Sequence, residues 1–303
     1  MTLKVNTFDF IPGTSLGIVT DAALDAGLLP KLVPGKPTLF GPVKGATFSG
    51  IPKAQIVGES EKKDGQDPFE LVPFTADPVK AQITFRSSDE LLWADEDYQM
   101  AVIDEQVAPA VGAGMGRFVD LFGFHGINPL TGTVSAKATK YLAQATNVVT
   151  ANGAPTAELN EAVGLIAANA AMPDGVALDS AYGYSLATEV WPTGTALAGQ
   201  ERYPSMGFSP ENWRGLKAAV SSTVSGRPEI SDSGIRSIVG DWGQVRWGYQ
   251  RQIPLKLIEF GDPDNTGRDL KGHNEVAFRA EVVIYMAIGN LDKFALVKET
   301  VGG

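Results

Sequence analysis

The sequence predicts an α+β fold, and three observations carry that prediction. Residues 46–86 read as one long β-hairpin, residues 88–108 have the cap and spacing of a helix, and residues 273–297 return to strand. Strands grouped at the two ends, with helical sequence between them, point to α+β and away from a regular βαβ alternation. Hydrophobic residues make up 44% and charged residues 20% of 303, a composition that supports a substantial core.

Taken in order, residues 1–45 are dense in Gly and Pro, from Pro12 and Gly13 through Pro34, Gly35, Pro37, Gly41 and Pro42. Such a segment cannot form long helices or central strands. It also carries Phe8, Phe10, Leu28, Leu29, Leu39 and Phe40, too many apolar side chains for a free linker. An extended arm lying along something else is expected. In the hairpin, "ATFSGIPKAQIVGE" runs out, "SEKKDGQDP" turns and "FELVPFTADPVKAQITFR" returns. Asp64-Gly65 supplies the positive φ that a tight turn needs.

The next stretch, "SSDELLWADEDYQMAVIDEQVAP", opens with Ser87 and Glu90 at capping-box spacing and crowds acids into its first turns. Leu91, Ala94, Tyr98, Ala101 and Val102 recur at helical spacing. The pattern predicts a helix from about Ser88 to Ala108, roughly 30 Å long, ended or kinked by Pro109, with a second helical piece through Gly116. Its acidic face, Asp89 to Glu105, reads as solvated.

Beyond "FVDLFGFHGINPLTG" the sequence becomes Ala-rich. "PTAELNEAVGLIAANA" is an amphipathic helix, and "VALDSAYGYSLATEV" is a strand leading into a helix. "WRGLKAAVSSTV" and "IRSIVGDWGQVRWGYQRQIPLKLIEFG" supply strands. In the closing strand, Val276, Phe278, Ala280, Val282, Ile284 and Met286 fall on one face. Glu275, Arg279, Glu281 and Tyr285 fall on the other. Something must meet those charges.

Composition limits the chemistry. The chain has no cysteine, which removes disulfides and thiolate chemistry, and only two histidines, His125 and His273, which leave little for a zinc site or a catalytic triad. The net charge of −10, with Lys and Arg spread singly, disfavours a phosphate-gripping surface. No apolar run approaches the roughly 18 residues of a membrane span, and "MTLKVNTFDFIPGT" lacks a signal peptide's basic and apolar regions, so a protein made and used in a cytoplasm is expected. "DPDNTGRDLKGH" (262–273) places Asp262, Asp264, Thr266 and Gly267 as in a calcium loop. Its twelfth position is His273 where a bidentate Glu belongs, so a loop between strands is expected. "VGAGMG" (111–116) has neither nucleotide-loop spacing, and "GYSLA" lacks the second Gly of a nucleophile elbow. No cofactor, no metal and no reaction is read from the residues.

The order of these pieces resembles the major capsid proteins of tailed bacteriophages over nearly the whole chain. "FVDLFGFHGINPLTG", "WRGLKAAVSSTV" (with Ala218-Ala219 where the family has a small-Pro pair), "VGDWGQVRWG" and "HNEVAFRAE" resemble that family's successive signatures. The resemblance implies an N-terminal arm at 1–45 and an E-loop hairpin at 46–86. It implies a peripheral domain with its spine helix at 87–148 and 265–303, and an axial domain at 149–264. It implies a structural, non-enzymatic subunit that assembles with itself as pentamers and hexamers into an icosahedral shell around double-stranded DNA, without reading its sequence and without a membrane. Portal and separate scaffolding or decoration proteins are the implied partners, and Met1 at the start favours separate scaffolding. Asp64, Gly65, Arg279 and Glu281 are candidate contacts between subunits. Some members join subunits through an isopeptide bond between an E-loop Lys and a peripheral Asn, with a Glu as base. Asn274 and Glu281 match that pattern, but only Lys62 and Lys63 at the turn could reach, so the chain is expected not to cross-link. An encapsulin-type compartment shell and a hydrolase using the acidic helix are the competing readings.

Overall fold

The computed structural model describes residues 26–49, 56–63, 70–93, 107–251 and 255–299. In chain order its first elements are helix α1 (Leu28–Leu32) and strands β1 (Val43–Ser49), β2 (Glu70–Ala76) and β3 (Val79–Ser88). β1 and β2 pair antiparallel from Val43↔Ala76 to Ser49↔Glu70, the base of the expected hairpin. Its Asp64-Gly65 turn lies outside the described residues. Asp77-Pro78 interrupts the returning strand, because proline cannot donate to a ladder. Beyond it, β3 leaves the hairpin for another sheet.

The start of the helix expected at 88–108 is corrected by the structure. β3 runs through Ser88, and a 3-10 turn follows at Asp89–Trp93, where the Glu90 amide donates to Ser88 Oγ at 3.2 Å. Residues 94–106 lie outside the described residues. The second helical piece expected beyond Pro109 is the long described helix α2 (Ala108–His125), which has Pro109 in its first turn and runs past Gly116. Proline in a first turn is harmless because that amide has no partner there in any case. The helix ends at Gly126, whose left-handed φ of 68° closes the cap. A Cβ there would lie 2.5 Å from the Tyr141 ring.

There follow the short pair β4 (Ile127–Asn128) and β5 (Thr133–Val134), then β6 (Asn147–Thr150), helix α3 (Pro155–Ala168), β7 (Gly175–Leu178) and helix α4 (Ser180–Ala187). The chain continues with β8 (Asn212–Trp213), β9 (Leu216–Val220), β10 (Ile235–Gly240), β11 (Val245–Arg251), β12 (Leu255–Ile258), β13 (Glu275–Ile288) and β14 (Phe294–Lys298). The helices and strands expected from residue 155 onward are all present.

Two sheets organise the subunit. One has the order β6-β14-β10-β7-β9-β8, and α3 packs across β14, β6 and β10. The other is centred on β13, with β3 along one edge and β11 then β12 along the opposite edge. The expected boundary between residues 264 and 265 falls between β12 and β13, which pair with each other, while β14 belongs to the six-stranded sheet. The core face read from β13 holds at Val276, Phe278, Ala280, Val282 and Ile284, all buried, with Phe278 stacked on Phe85 of β3, while Met286 is half-buried and Tyr285, expected on the charged face, is buried. This face joins α1, α2 and the Trp247 side of β11 in one core, while α3, α4 and the six-stranded sheet build a second around Leu159, Leu178 and Trp213.

Candidate intersubunit surface and the residues behind it

The charged face of β13 is answered first by its own chain. The Arg279 guanidinium donates to Thr84 Oγ1 at 3.0 Å and to the Pro263 carbonyl at 2.5 Å. Glu281 accepts from Lys80 at 2.9 Å, and that ammonium holds its carboxyl below the ordinary carboxylate range. Both partners of Arg279 and Glu281 therefore come from β3 and the 259–274 loop, the sheet's own neighbours.

Glu275, at the start of β13, belongs to a larger cluster. Arg86, at the end of β3, donates through Nη1 to Glu275 at 3.0 Å and through Nε to Asp264 at 2.9 Å. Its Nη2 faces Asp262 at 2.7 Å, Thr266 Oγ1 at 2.7 Å, the Arg268 carbonyl at 2.9 Å and Asp264. The alternate oxygens that resembled a calcium loop do converge, and they converge on a guanidinium nitrogen of the same chain. The Asp264 carboxyl is held well below its usual range by this bond. The segment is a loop between strands, as expected.

Asn274 closes the turn before β13 in the left-handed region, φ 54°, and its carbonyl accepts the Asp89 amide at 2.9 Å. Its side chain is exposed. Seven residues of extended strand separate Asn274 from Glu281, about 23 Å at 3.3 Å per residue. One subunit therefore cannot bring both to a single amide bond. Lys62 and Lys63 stand exposed on the described part of the hairpin's far end; Asp64 and Gly65 lie outside the described residues. The structure of one chain does not bring the four cross-link candidates together.

Sequence reasoning missed how residues 26–41 are tied down. The Leu28 and Leu29 amides donate to the two oxygens of Asp120, at 2.8 and 2.7 Å. Trp247 Nε1 donates to the Val33 carbonyl at 2.9 Å, and the Tyr285 hydroxyl to the Lys36 carbonyl at 3.0 Å. Lys36 and Thr38 donate to the carbonyls of Trp247 and Tyr249, extending the β11 edge. Gln250 Nε2 closes the series on the Gly41 carbonyl at 2.7 Å. The arm does lie along something, and for these residues it is its own subunit. The one available signal was Asp120, an acid inside the otherwise apolar "RFVDLFGF".

Large apolar side chains remain bare on separate elements: Ile56 on the hairpin is 97% exposed, and Leu39 on the arm and Leu130 between β4 and β5 are each 93% exposed. Phe260 beside the Arg86 loop and Phe208 near α4 are also exposed. Single bare hydrophobics are ordinary, but several on extended segments fit a subunit that meets others.

Comparison with solved structures gives the family. A chain from Mycobacterium phage Ogopogo is 39% identical, with a TM-score of 0.78 over 90% of this chain and 92% of that one. A chain from Gordonia phage Cozz is 25% identical, with a TM-score of 0.74 over 91% of this chain and 87% of that one. The capsid of an empty GTA particle, 11% identical, shares the fold with a TM-score of 0.60 over 91% of this chain and 90% of that one. No protein-family model and no curated protein sequence matches. With two-fifths of its residues shared with a phage chain, and a capsid fold, each over about nine-tenths of its length, the chain belongs to the major capsid protein family of tailed bacteriophages and is a structural subunit of a capsid shell.

Proposed function

We propose that this subunit assembles as pentamers and hexamers into a closed icosahedral shell around packaged double-stranded DNA, with the β1–β2 hairpin acting as the E-loop and β3, the last part of the expected 46–86 segment, belonging to the sheet centred on β13. In this reading the sheet centred on β13, with α2, is the peripheral domain, and the six-stranded sheet with α3 and α4 is the axial domain. The observation that carries it is the β1–β2 ladder, whose rungs among the described residues run between its own two strands. A two-stranded ribbon is marginal alone, so its free edges and the bare Ile56 gain most from a neighbouring copy. Closed symmetry repeats each such contact many times, so modest pairwise energies suffice. A net charge of −10 favours a lining along which DNA slides without adhering. The partners in this reading are other copies of the chain, a portal and separate scaffolding or decoration proteins, with assembly in the host cytoplasm.

Shortening the hairpin between Gly58 and Phe69 tests the reading. Circular dichroism and a cooperative melt should show a folded subunit, while electron microscopy should show no shells. Normal particles from the shortened chain would contradict it.

A further inference from the structure

Asp120 stands where three parts of the subunit meet. It projects from α2, has no exposure, and takes both leading amides of α1 on its two oxygens. Its Oδ2 also accepts the Thr223 hydroxyl at 3.0 Å. Thr223 lies in the 221–228 segment of the connection from β9 to β10, and that segment is held from α2 and from the start of α4. From α2, His125 Nε2 lies 3.1 and 3.0 Å from the carbonyls of Thr223 and Val224; both are acceptors, so this nitrogen carries the proton. Arg117 reaches Ser222 Oγ at 3.2 Å and pairs with Glu229 at 2.6 Å. From the six-stranded sheet, Asp179 at the N-cap of α4 accepts the Ser225 hydroxyl at 2.6 Å.

We propose that Asp120 makes docking of the arm and seating of the 221–228 loop interdependent, so that lifting the arm loosens the junction between the two sheets. The reason is the count of donors. Docked, the buried carboxylate has two amides and one hydroxyl. With the arm lifted it keeps only Thr223, and a buried charge so poorly satisfied draws in water or shifts the loop. The coupling is reciprocal: releasing Thr223 weakens the hold on the arm by the same factor.

Protons bias the same device. Burial lifts the Asp120 carboxyl to about 6, against the lowering effect of its three hydrogen bonds. The titratable groups around it are Arg117 and His125 on α2, and Tyr249 on β11. Arg117 is tied to Glu229, burial lowers the His125 pKa, and the buried Tyr249 hydroxyl is pushed up to about 12. A docked Asp120 binds its proton more readily than a released, water-exposed one. Docking is therefore tightest below the ordinary carboxylate range and weakens as pH rises through 6, by up to about 100-fold for two pH units.

The test is hydrogen exchange on the full-length subunit, kept below the concentration at which shells form and read as protection of residues 28–38. Thr223 makes no hydrogen bond to the arm among the described residues. Thr223→Val keeps its shape and removes the hydroxyl. It should lower arm protection about tenfold, the worth of one hydrogen bond to a charge, and Thr223→Ser should restore it. Wild-type arm protection should fall between pH 4 and pH 7, and Asp120→Asn should flatten that dependence. Unchanged arm protection in Thr223→Val, or a wild-type arm insensitive to pH, would overturn the proposal.

Discussion

The arm at 26–41, a short helix followed by extended chain, and the β1–β2 hairpin are joined directly, yet their backbone groups are satisfied in different ways. The arm's carbonyls and amides go to Asp120, Trp247, Tyr249, Tyr285 and Gln250, all on its own subunit. The hairpin's rungs go to itself. Among its described side chains, Phe74 near the base meets the body by lying under Arg246 of β11, with 5.6 Å between guanidinium and ring. The difference separates an extended segment that the rest of the subunit ties down from one whose described ladder is made within itself. An arm bonded to its own sheet edge is a strand of that sheet in all but name. A ribbon with two free edges offers ladder positions to another chain.

The sharpest way to break the arm's side of this comparison is Gly248→Ala. A Cβ on Gly248 would stand 1.9 Å from the Lys36 carbonyl oxygen, so alanine expels the arm from β11. The expected cost is about 3 kcal/mol, a fall in Tm of roughly 5–10 °C by calorimetry, with the hairpin ladder unaffected. An unchanged melting temperature would mean that the arm contributes nothing to the subunit.

Arg86→Ala should have a smaller effect, and one that depends on pH. It leaves Asp262, Asp264 and Glu275 facing one another without their shared cation. Arg86 depresses the folded pKa of Asp264, so its stabilisation is present above the unfolded carboxylate range and is lost as pH falls below it. The wild type should melt higher than the variant at pH 7, and the gap should close below about pH 4. A gap that stays constant across that range would point to lost packing instead of lost charge.

The smallest effect is expected for Asn274→Asp. Glu281 sits about 23 Å along the strand from Asn274, and Lys80 holds its carboxyl below the range a base would need. Particles boiled in detergent should run as one band near 32.1 kDa, and the variant should run the same. A ladder that Asn274→Asp abolishes would establish a cross-link and assign Glu281 of one subunit to serve Asn274 of another.

What could be read from the sequence follows the range of the interaction. The alternation of Val276 to Ile284, the amphipathic span of α3 and the strand-to-helix step at Asp179 are local patterns, and each was legible. The expected helix start at Ser88 differs from the structure because Ser87 and Glu90 imitate a cap at the start of an acidic, helix-spaced run, while the helical piece expected beyond Pro109 is present as α2 and runs on to His125. Asp120 with Leu28, Arg86 with Asp264 and Gln250 with Gly41 join residues 92, 178 and 209 positions apart, and no local spacing reveals such pairs. The calcium-like spacing at 262–268 did register a cage of oxygens. It could not say that the charge at its centre comes from β3.

The most direct test of the difference between arm and hairpin is hydrogen exchange on free subunits and on assembled shells, compared residue by residue. Residues 28–38 should be protected in both states, because their partners are intramolecular. The β1 and β2 strands, 43–49 and 70–76, should exchange readily in the free subunit and become strongly protected in the shell. Equal protection of the hairpin in both states would contradict the account.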